Sequence, residues 1–336
     1  MTLSAPFPWF GGKSSVAGEV WAALGNVAGY VEPFFGSGAV LLARPEIGKF
    51  ETVNDFDGLL ANFWRAAKLC PETVAEAADW PVNEADLHAR HLWLVGQREG
   101  ITARLMGDAD WCDAKAAGWW LWGACAWIGS GWCGGVGPWI THDGVFTDSR
   151  QLPRLSSAQG VNRKLPHLSS AQGVNRKLPH LSEGRGVNRK LFILDWIAAL
   201  HDRLRDVRVA CGDWSRVMGP SVTGAGGGIC GVFLDPPYDV ADRVDVYATE
   251  SKVAPDVRQW CAENGDNPML RVVLAGYDGE HNALENMGWR AVAWKARGGY
   301  GSQGDGNGRE NAKRERLWLS PHCQGVRADL FSGFAA

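Results

Sequence analysis

A short apolar run at residues 232–234 leads directly into the sequence Asp235-Pro236-Pro237-Tyr238. The prolines restrict the loop to extended shapes, and Pro236 has no amide hydrogen of its own. The Asp235 carboxylate and the Pro236 carbonyl are then two acceptors that can converge on one donor, such as the exocyclic amino group of a base. Tyr238 offers an aromatic face on which a base can stack. The alternative interpretation is an ordinary turn after a strand.

Two glycines, Gly36 and Gly38, follow a strand-like run at residues 29–33 and precede an apolar stretch. Glycines at the end of a first strand let a ligand approach the backbone closely. A dinucleotide-binding pattern would need glycine at position 41, which is Leu, so NAD and FAD are disfavoured. A phosphate-binding loop ending at residues 12–14 would need glycine at position 7, which is Phe, so that motif is rejected.

An acidic residue, Asp55, stands at the end of the next strand-like run, at residues 51–54. An acidic side chain in this place commonly accepts hydrogen bonds from the ribose hydroxyls of a bound nucleoside. The alternative is a helix N-cap, because a helical pattern follows. The preceding glycine loop favours the ribose interpretation.

The elements that must position these residues are strands alternating with helices, which predicts an α/β doubly wound sheet. Candidate strands are 29–33, 51–54, 207–211, 231–234, 271–275, 290–295 and 316–320, and candidate helices are 14–24, 56–68, 252–263 and 279–287. Two strands precede a different middle region and five follow it. This middle region, roughly residues 70–195, is therefore predicted to be a second domain or large insertion.

Part of the middle region is rich in tryptophan, with seven Trp residues between positions 111 and 139. The run at 118–129 is apolar around most of a helical circumference, so most of these side chains are predicted to lie in a core, with base stacking as the alternative. The glycine-rich stretch at 129–139 is predicted to be a loop.

Residues 155–167 and 168–180 are identical 13-residue repeats, and residues 181–192 form a third, diverged copy. Between positions 150 and 190 nine basic residues face one acidic residue, so this segment carries +8 while the whole chain carries −3. Such a concentration of charge favours contact with a polyanion, and each copy presents an Asn-Arg-Lys triplet. The copies are too short and polar for a solenoid, and a passive solvated loop is the alternative.

The composition limits the class of protein. The 336 residues are 46% hydrophobic and 21% charged, which excludes a wholly disordered chain. No apolar run is long enough for a membrane span and no secretory signal is evident. The eight cysteines show neither CxxC pairs nor zinc spacing, which favours reduced thiols, no metal and a cytoplasmic location.

Four fingerprints occur in a fixed order: PWFGGK at 8–13, EPFFGSG at 32–38, NDFD at 54–57 and LDPPY at 234–238. In this order they resemble the adenine-specific DNA methyltransferases of the Dam type. The resemblance implies a Rossmann-like sheet of seven strands, the last antiparallel, that uses S-adenosylmethionine. The catalytic domain would comprise residues 1–70 and 196–336. An inserted helical and loop region for target recognition would comprise 71–195.

The resemblance also implies roles for particular residues. Catalysis would fall to Asp235, Pro236, Pro237 and Tyr238. Cofactor-binding residues would be Trp9, Lys13, Glu32, Phe34, Gly36, Gly38, Asp55, Asp213 and Asp235. The basic residues assigned to DNA are those of the three triplets: Arg163, Lys164, Arg176, Lys177, Arg189 and Lys190. Where the family usually has a lysine before its first tryptophan, this chain has Pro8.

The implied reaction is methylation of adenine N6 in double-stranded DNA after the base is flipped out of the duplex. Three alternatives stay open: methylation of cytosine N4, methylation of a protein or RNA amine, and an inactive DNA-binding relative. No obligate protein partner is evident. The perfect repeats, and the lack of a nuclease-like constellation in the sequence, suggest an orphan enzyme of phage or mobile-element origin, acting in a bacterial cell or phage-infected host.

Overall fold

The computed structural model describes residues 3–9, 11–127, 132–134, 139–142, 145–148, 189–238, 253–294 and 314–325. For 139–142, 145–148 and 189–192 it describes the backbone alone. The chain divides into two compact units. The first comprises Met1–Ala5, Trp9–Phe56 and Arg203–Ala336, and the second comprises Pro6–Pro8 and Asp57–Asp202.

Nine strands lie in the described residues: β1 (Gly29–Glu32), β2 (Phe50–Asp55), β3 (Trp139–His142), β4 (Val145–Asp148), β5 (Val207–Cys211), β6 (Cys230–Leu234), β7 (Leu270–Tyr277), β8 (Arg290–Ala293) and β9 (Glu315–Leu319). Seven of them form one sheet in the order β5-β2-β1-β6-β7-β9-β8. The pairs β5–β2, β2–β1, β1–β6 and β6–β7 are parallel, and β9 runs antiparallel to both β7 and β8. The result is a mostly parallel α/β sheet, compatible with a Rossmann-like methyltransferase fold.

The sheet follows directly from the apolar runs in the sequence. Every residue of β1 and β6 is buried, as expected for central parallel strands that are covered on both faces. The edge strand β8 is largely exposed. All seven predicted strands are confirmed to within one or two residues, and the antiparallel last strand is confirmed too.

The helices of the described residues are α1 (Ala17–Leu24), α2 (Ala39–Leu42), α3 (Gly58–Leu69), α4 (Pro71–Ala78), α5 (Glu84–Gly107), α6 (Ala114–Ala126), α7 (Arg189–Leu204), α8 (Pro220–Thr223) and α9 (Val253–Asn264). Two short 3-10 helices, Trp214–Val217 and Asn282–Met287, complete the set. In the first unit, the buried carboxylate of Glu51 in β2 accepts hydrogen bonds from Arg44, which follows α2, and from Arg203, near the end of α7. Glu51 therefore links these three parts of the chain.

The second unit is built from α3 to α6 and most of α7, together with the two-stranded sheet β3–β4. Polar side chains begin its helices: Asp57 accepts from Leu59 N, Asn83 from Asp86 N and Asp113 from Ala116 N. Its core is aromatic. Phe7 packs edge-on against Phe63 and Trp120, with ring centroids 5.5 and 4.8 Å apart.

Several local predictions need correction. Helix α7 begins inside the third repeat copy, at Arg189, where a passive loop would have no helix, because an apolar helical pattern continues beyond the repeat. The predicted helix at 279–287 is a 3-10 helix of six residues. Helices α4 and α5 were not predicted. Of the Trp-rich stretch, Trp120, Trp122 and Trp127 are buried, whereas Trp111, Trp119 and Trp132 are half-buried.

Candidate functional site

The candidate site lies where parallel strands of the first unit end. Strand β1 lies between β2 and β6, so the loops that follow these three strands leave the same edge of the sheet. The glycine loop follows β1, Asp55 ends β2 and Asp235 follows β6. We call this edge, with the side chains described below, the carboxyl edge.

The glycine loop has the left-handed backbone that its sequence predicts. Gly36 has φ 50° and Gly38 has φ 68°, a region that side chains with a Cβ rarely adopt. A Cβ on Gly36 would lie 2.8 Å from Nε1 of Trp9, so the Trp9 indole lies directly against this glycine. Trp9 itself is 39% exposed. The glycine loop therefore packs against an aromatic ring that is itself partly exposed to solvent.

The Asp55 side chain is turned toward the glycine loop. Its Oδ2 accepts a hydrogen bond from Gly36 N at 2.9 Å. The alternative interpretation of Asp55 as the cap of the following helix is wrong, because Asp57 caps α3. Asp55 thus links the end of β2 to the loop after β1, next to the site where a nucleoside was expected.

A buried amide, which the sequence analysis missed, holds two further loops together. Asn54 is 1% exposed, and its Nδ2 donates to the carbonyls of Pro33 at 3.1 Å and Gly212 at 2.9 Å. This side chain joins the segments that follow β1 and β5. The only available signal was a polar residue at the end of an otherwise apolar strand, beside the more conspicuous Asp55.

The Asp235 carboxylate is paired with the N-terminal fingerprint. Lys13 Nζ lies 2.9 Å from Asp235 Oδ2 and donates to the Gly11 carbonyl at 2.7 Å. Lys13 is buried although it is charged. Its ammonium also lies 5.2 Å from the ring centroid of Tyr238 and 5.9 Å from that of Trp294. Two fingerprints that are more than 200 residues apart in the chain therefore meet at one point.

The Tyr238 ring is held at its tip and at its side. Its hydroxyl donates to Glu315 Oε2 at 2.8 Å, and its ring contacts Tyr277 edge-on with centroids 4.5 Å apart. Burial raises the pKa of Tyr238, and Asp235 and Glu315 raise it further. Burial also raises the pKa of Glu315, against the opposing charge of Lys13. Sequence analysis missed Glu315, which stands at the start of β9 far from any fingerprint.

A second buried carboxylate lies at the end of β1. Glu32 is 2% exposed and accepts a hydrogen bond from the Tyr30 hydroxyl at 2.9 Å. Burial raises the pKa of Glu32 well above its usual range, and the charges of Asp235 and Asp55 raise it further. A cationic ligand group near these carboxylates would reverse that effect.

Phe34 and Asp213 lie at the same edge. Phe34 stacks on Trp214 with ring centroids 6.1 Å apart. Asp213 follows β5 and caps the 3-10 helix that begins at Trp214, since its Oδ1 accepts from Ser215 N at 2.9 Å. The exposed Asp213 is thus fixed in direction by its own cap.

The assigned DNA-binding residues cannot be placed in this way. Arg163, Lys164, Arg176 and Lys177 lie outside the described residues, and Arg189 and Lys190 are described only as backbone at the start of α7. Within the described part of the chain, no group of three or more His, Cys, Asp or Glu residues could hold a metal ion. No helix there is long and apolar enough to cross a membrane.

Together the fold and the carboxyl edge define a class: an α/β protein with a glycine loop after one parallel strand and an aspartate at the end of each neighbouring strand. Residues 9–87 match the family of D12 class N6 adenine-specific DNA methyltransferases. That match agrees with the Dam-type resemblance of the fingerprints. It includes Trp9, Lys13, the glycine loop and Asp55, and ends before Asp235. A comparison with curated proteins gives no match.

Proposed function

We propose that this protein transfers a methyl group from S-adenosylmethionine to the N6 amino group of adenine in double-stranded DNA. One observation carries the proposal: the 2.9 Å contact between Lys13 and Asp235. Lys13 belongs to the segment that matches the adenine methyltransferase family, whereas Asp235 lies outside it. The contact supports the proposal that these two parts of the chain form one site.

The residues of the carboxyl edge fit the cofactor. S-adenosylmethionine supplies an activated methyl group when bound, and it carries a sulfonium and an ammonium group. In the proposal the carboxylates of Glu32, Asp55 and Asp235, which interact with one another electrostatically, attract these cationic groups. Gly36, where a Cβ would collide with the Trp9 indole, lets the glycine loop pack closely against this ring. Phe34, Gly38, Asp213 and Lys13 complete the proposed binding residues.

The protein's own contribution to the reaction is positioning and electrostatics. In our proposal the target adenine enters the site from a flipped nucleotide. The Asp235 carboxylate and the Pro236 carbonyl accept hydrogen bonds from the N6 amino group, and Pro237 keeps the loop extended. Tyr238 stacks on the base, and Lys13 fixes the direction of the Asp235 carboxylate. Groups that are already oriented before the reaction lower its barrier without having to rearrange.

Recognition of the DNA is assigned to the middle region of the chain, residues 71–195. The support is its basic segment, which concentrates positive charge in a chain of net charge −3. Phosphate contacts by Arg and Lys side chains would orient the duplex without reading its sequence. The catalytic domain in this proposal comprises residues 1–70 and 196–336.

The test is to express the protein in cells that lack adenine methylation and to sequence their DNA by a method that detects modified bases. We expect N6-methyladenine at one recurring sequence. The same expression with Asp235→Ala should leave the DNA unmodified. Modified cytosine N4 would overturn the choice of base, and unmodified DNA with a folded wild-type protein would overturn the proposed activity.

A further inference from the structure

A buried carboxylate on strand β9, Glu315, contacts Tyr238, the proposed base-stacking residue. Glu315 is the first residue of β9 and pairs with Tyr277, the last residue of β7. Because β9 is antiparallel, its first residue lies at the edge where β7 ends. This register brings Glu315 to the carboxyl edge, where its Oε2 accepts from the Tyr238 hydroxyl at 2.8 Å.

Stability of the sheet does not account for a carboxylate at this position. Glu315 is only 7% exposed, and the other inward residues of β9 are apolar. Burying a carboxylate costs free energy unless it is paired. Four polar groups surround Glu315 electrostatically: Lys13, Asp235, Tyr238 and Glu280. Two of these four, Asp235 and Glu280, are acidic and oppose the charge of Glu315, whereas Lys13 and the hydrogen bond from Tyr238 favour it.

We propose that Glu315 is a positioning residue that acts through the hydroxyl of Tyr238 to fix the ring against which the target base stacks. The ring is fixed at its tip by Glu315 and at its side by Tyr277. A phenol held at both places keeps one orientation before the base arrives, so less conformational entropy is lost on binding. This inference rests on the proposed function.

The test is a double-mutant cycle with Glu315→Gln, Tyr238→Phe and the double variant. Each single variant removes one partner of the same hydrogen bond. Hydrogen bonds to charged groups are strong enough that kcat/KM for DNA should fall about tenfold in each single variant. The double variant should lose no more than either single variant, because both changes remove one interaction. Glu285→Gln makes the same chemical change at an exposed site and should leave kcat/KM unchanged.

A second readout does not depend on turnover. A duplex with 2-aminopurine at the methylated position reports base stacking through its fluorescence. Both single variants should change that fluorescence in the same way, and the double variant should change it no further. The affinity for S-adenosylmethionine should stay close to that of the wild type in all variants.

Three results would overturn the inference. Additive losses in the double variant would mean that the two residues act separately. A loss of cofactor affinity as large as the loss in kcat/KM would mean that Glu315 acts through Lys13 and not through Tyr238. Wild-type behaviour of Tyr238→Phe would show that the hydroxyl positions nothing, whether or not Glu315→Gln folds. A wild-type protein that methylates no DNA would instead overturn the proposed function itself.

Discussion

The carboxyl edge of the sheet and the second unit both bury charged side chains, but they do so differently. In the second unit, Arg65 donates to the carbonyls of Leu105, Asp108 and Trp111, at 3.1, 2.8 and 3.2 Å. The Arg90 guanidinium lies among three tryptophan rings, 4.4 Å from the centroid of the nearest, Trp122. Arg65 is surrounded by carbonyl oxygens that suit a positive charge, whereas Arg90 faces aromatic rings and burial lowers its pKa. Both side chains join helices and loops of the second unit to one another.

At the carboxyl edge, buried carboxylates lie near other carboxylates, which costs free energy. Glu32 and Glu315 are buried carboxylates whose pKa values are raised, and the charge of Asp235 raises both further. By contrast, Glu51, in the same unit but at the other end of β2, is paired with two arginines. The difference separates burial that holds a fold together from burial that prepares a site for a ligand. Four predictions test that distinction, from the largest effect to the smallest.

The strongest test is Asp235→Ala. Loss of a preoriented group that contacts the reacting amino group should lower the methylation rate roughly 100- to 1000-fold. The thermal unfolding midpoint should also fall, because the buried Lys13 loses its ion-pair partner, but the protein should still fold. Methylation rates and unfolding curves measured side by side would check this.

Asp256→Ala is the matched control, an exposed aspartate in α9. Its methylation rate should equal that of the wild type. A folded Asp235→Ala protein with undiminished adenine methylation would falsify the assignment of Asp235.

The neighbouring aspartates Asp55 and Asp57 give a paired test, since one belongs to each unit. Asp55→Ala should weaken S-adenosylmethionine binding about tenfold or more, because a charge-assisted hydrogen bond is worth roughly 1.5–3 kcal/mol. Asp57→Ala should instead lower the free energy of unfolding by about 0.5–2 kcal/mol, the usual effect of losing an N-cap. Calorimetry and denaturant unfolding of both variants separate the two roles, and equal cofactor affinity in Asp55→Ala would remove its ribose role.

A pH titration tests the buried Glu32. Its pKa is raised by burial and by Asp235 and Asp55, while the Tyr30 hydroxyl opposes the shift. As the pH falls through this raised pKa, Glu32 takes up a proton and can no longer attract a cationic ligand group. Cofactor affinity should therefore decrease toward acid pH in the wild type. Glu32→Gln should bind more weakly at neutral pH, with a flatter dependence on the acid side. Equal slopes for both proteins would place the titrating group elsewhere.

The smallest effect concerns the basic repeats. Deleting residues 168–180 removes Arg176 and Lys177 while keeping the 13-residue register. If both residues contact phosphates, the slope of log affinity against log salt should flatten by up to about two, since each contact contributes about 0.9. Binding measured at several salt concentrations checks this. An unchanged slope would favour a passive loop, and loss of folding would mean that the repeats belong to a core.

How much of the site could be read from the sequence depended on distance along the chain. The glycine loop, Asp55 and the Asp235 loop each follow an apolar run that is recognisable as a strand, so their common edge was predictable. Asn54 and Glu315 were not, because each acts through partners remote in sequence. Asn54 contacts Gly212, 158 residues away, and Glu315 contacts Tyr238, 77 residues away.

The sequence by itself determined the seven strands, because continuous apolar runs bounded by polar residues have few other stable arrangements. It also determined which loops could carry the chemistry, since glycine and proline act on their own backbone. Only the tertiary structure decided which charges face one another. Strand order and register bring Glu315 to Tyr238, and the folding of the segment before α1 onto the sheet brings Lys13 to Asp235. Such contacts join residues far apart in the chain, which no local pattern encodes.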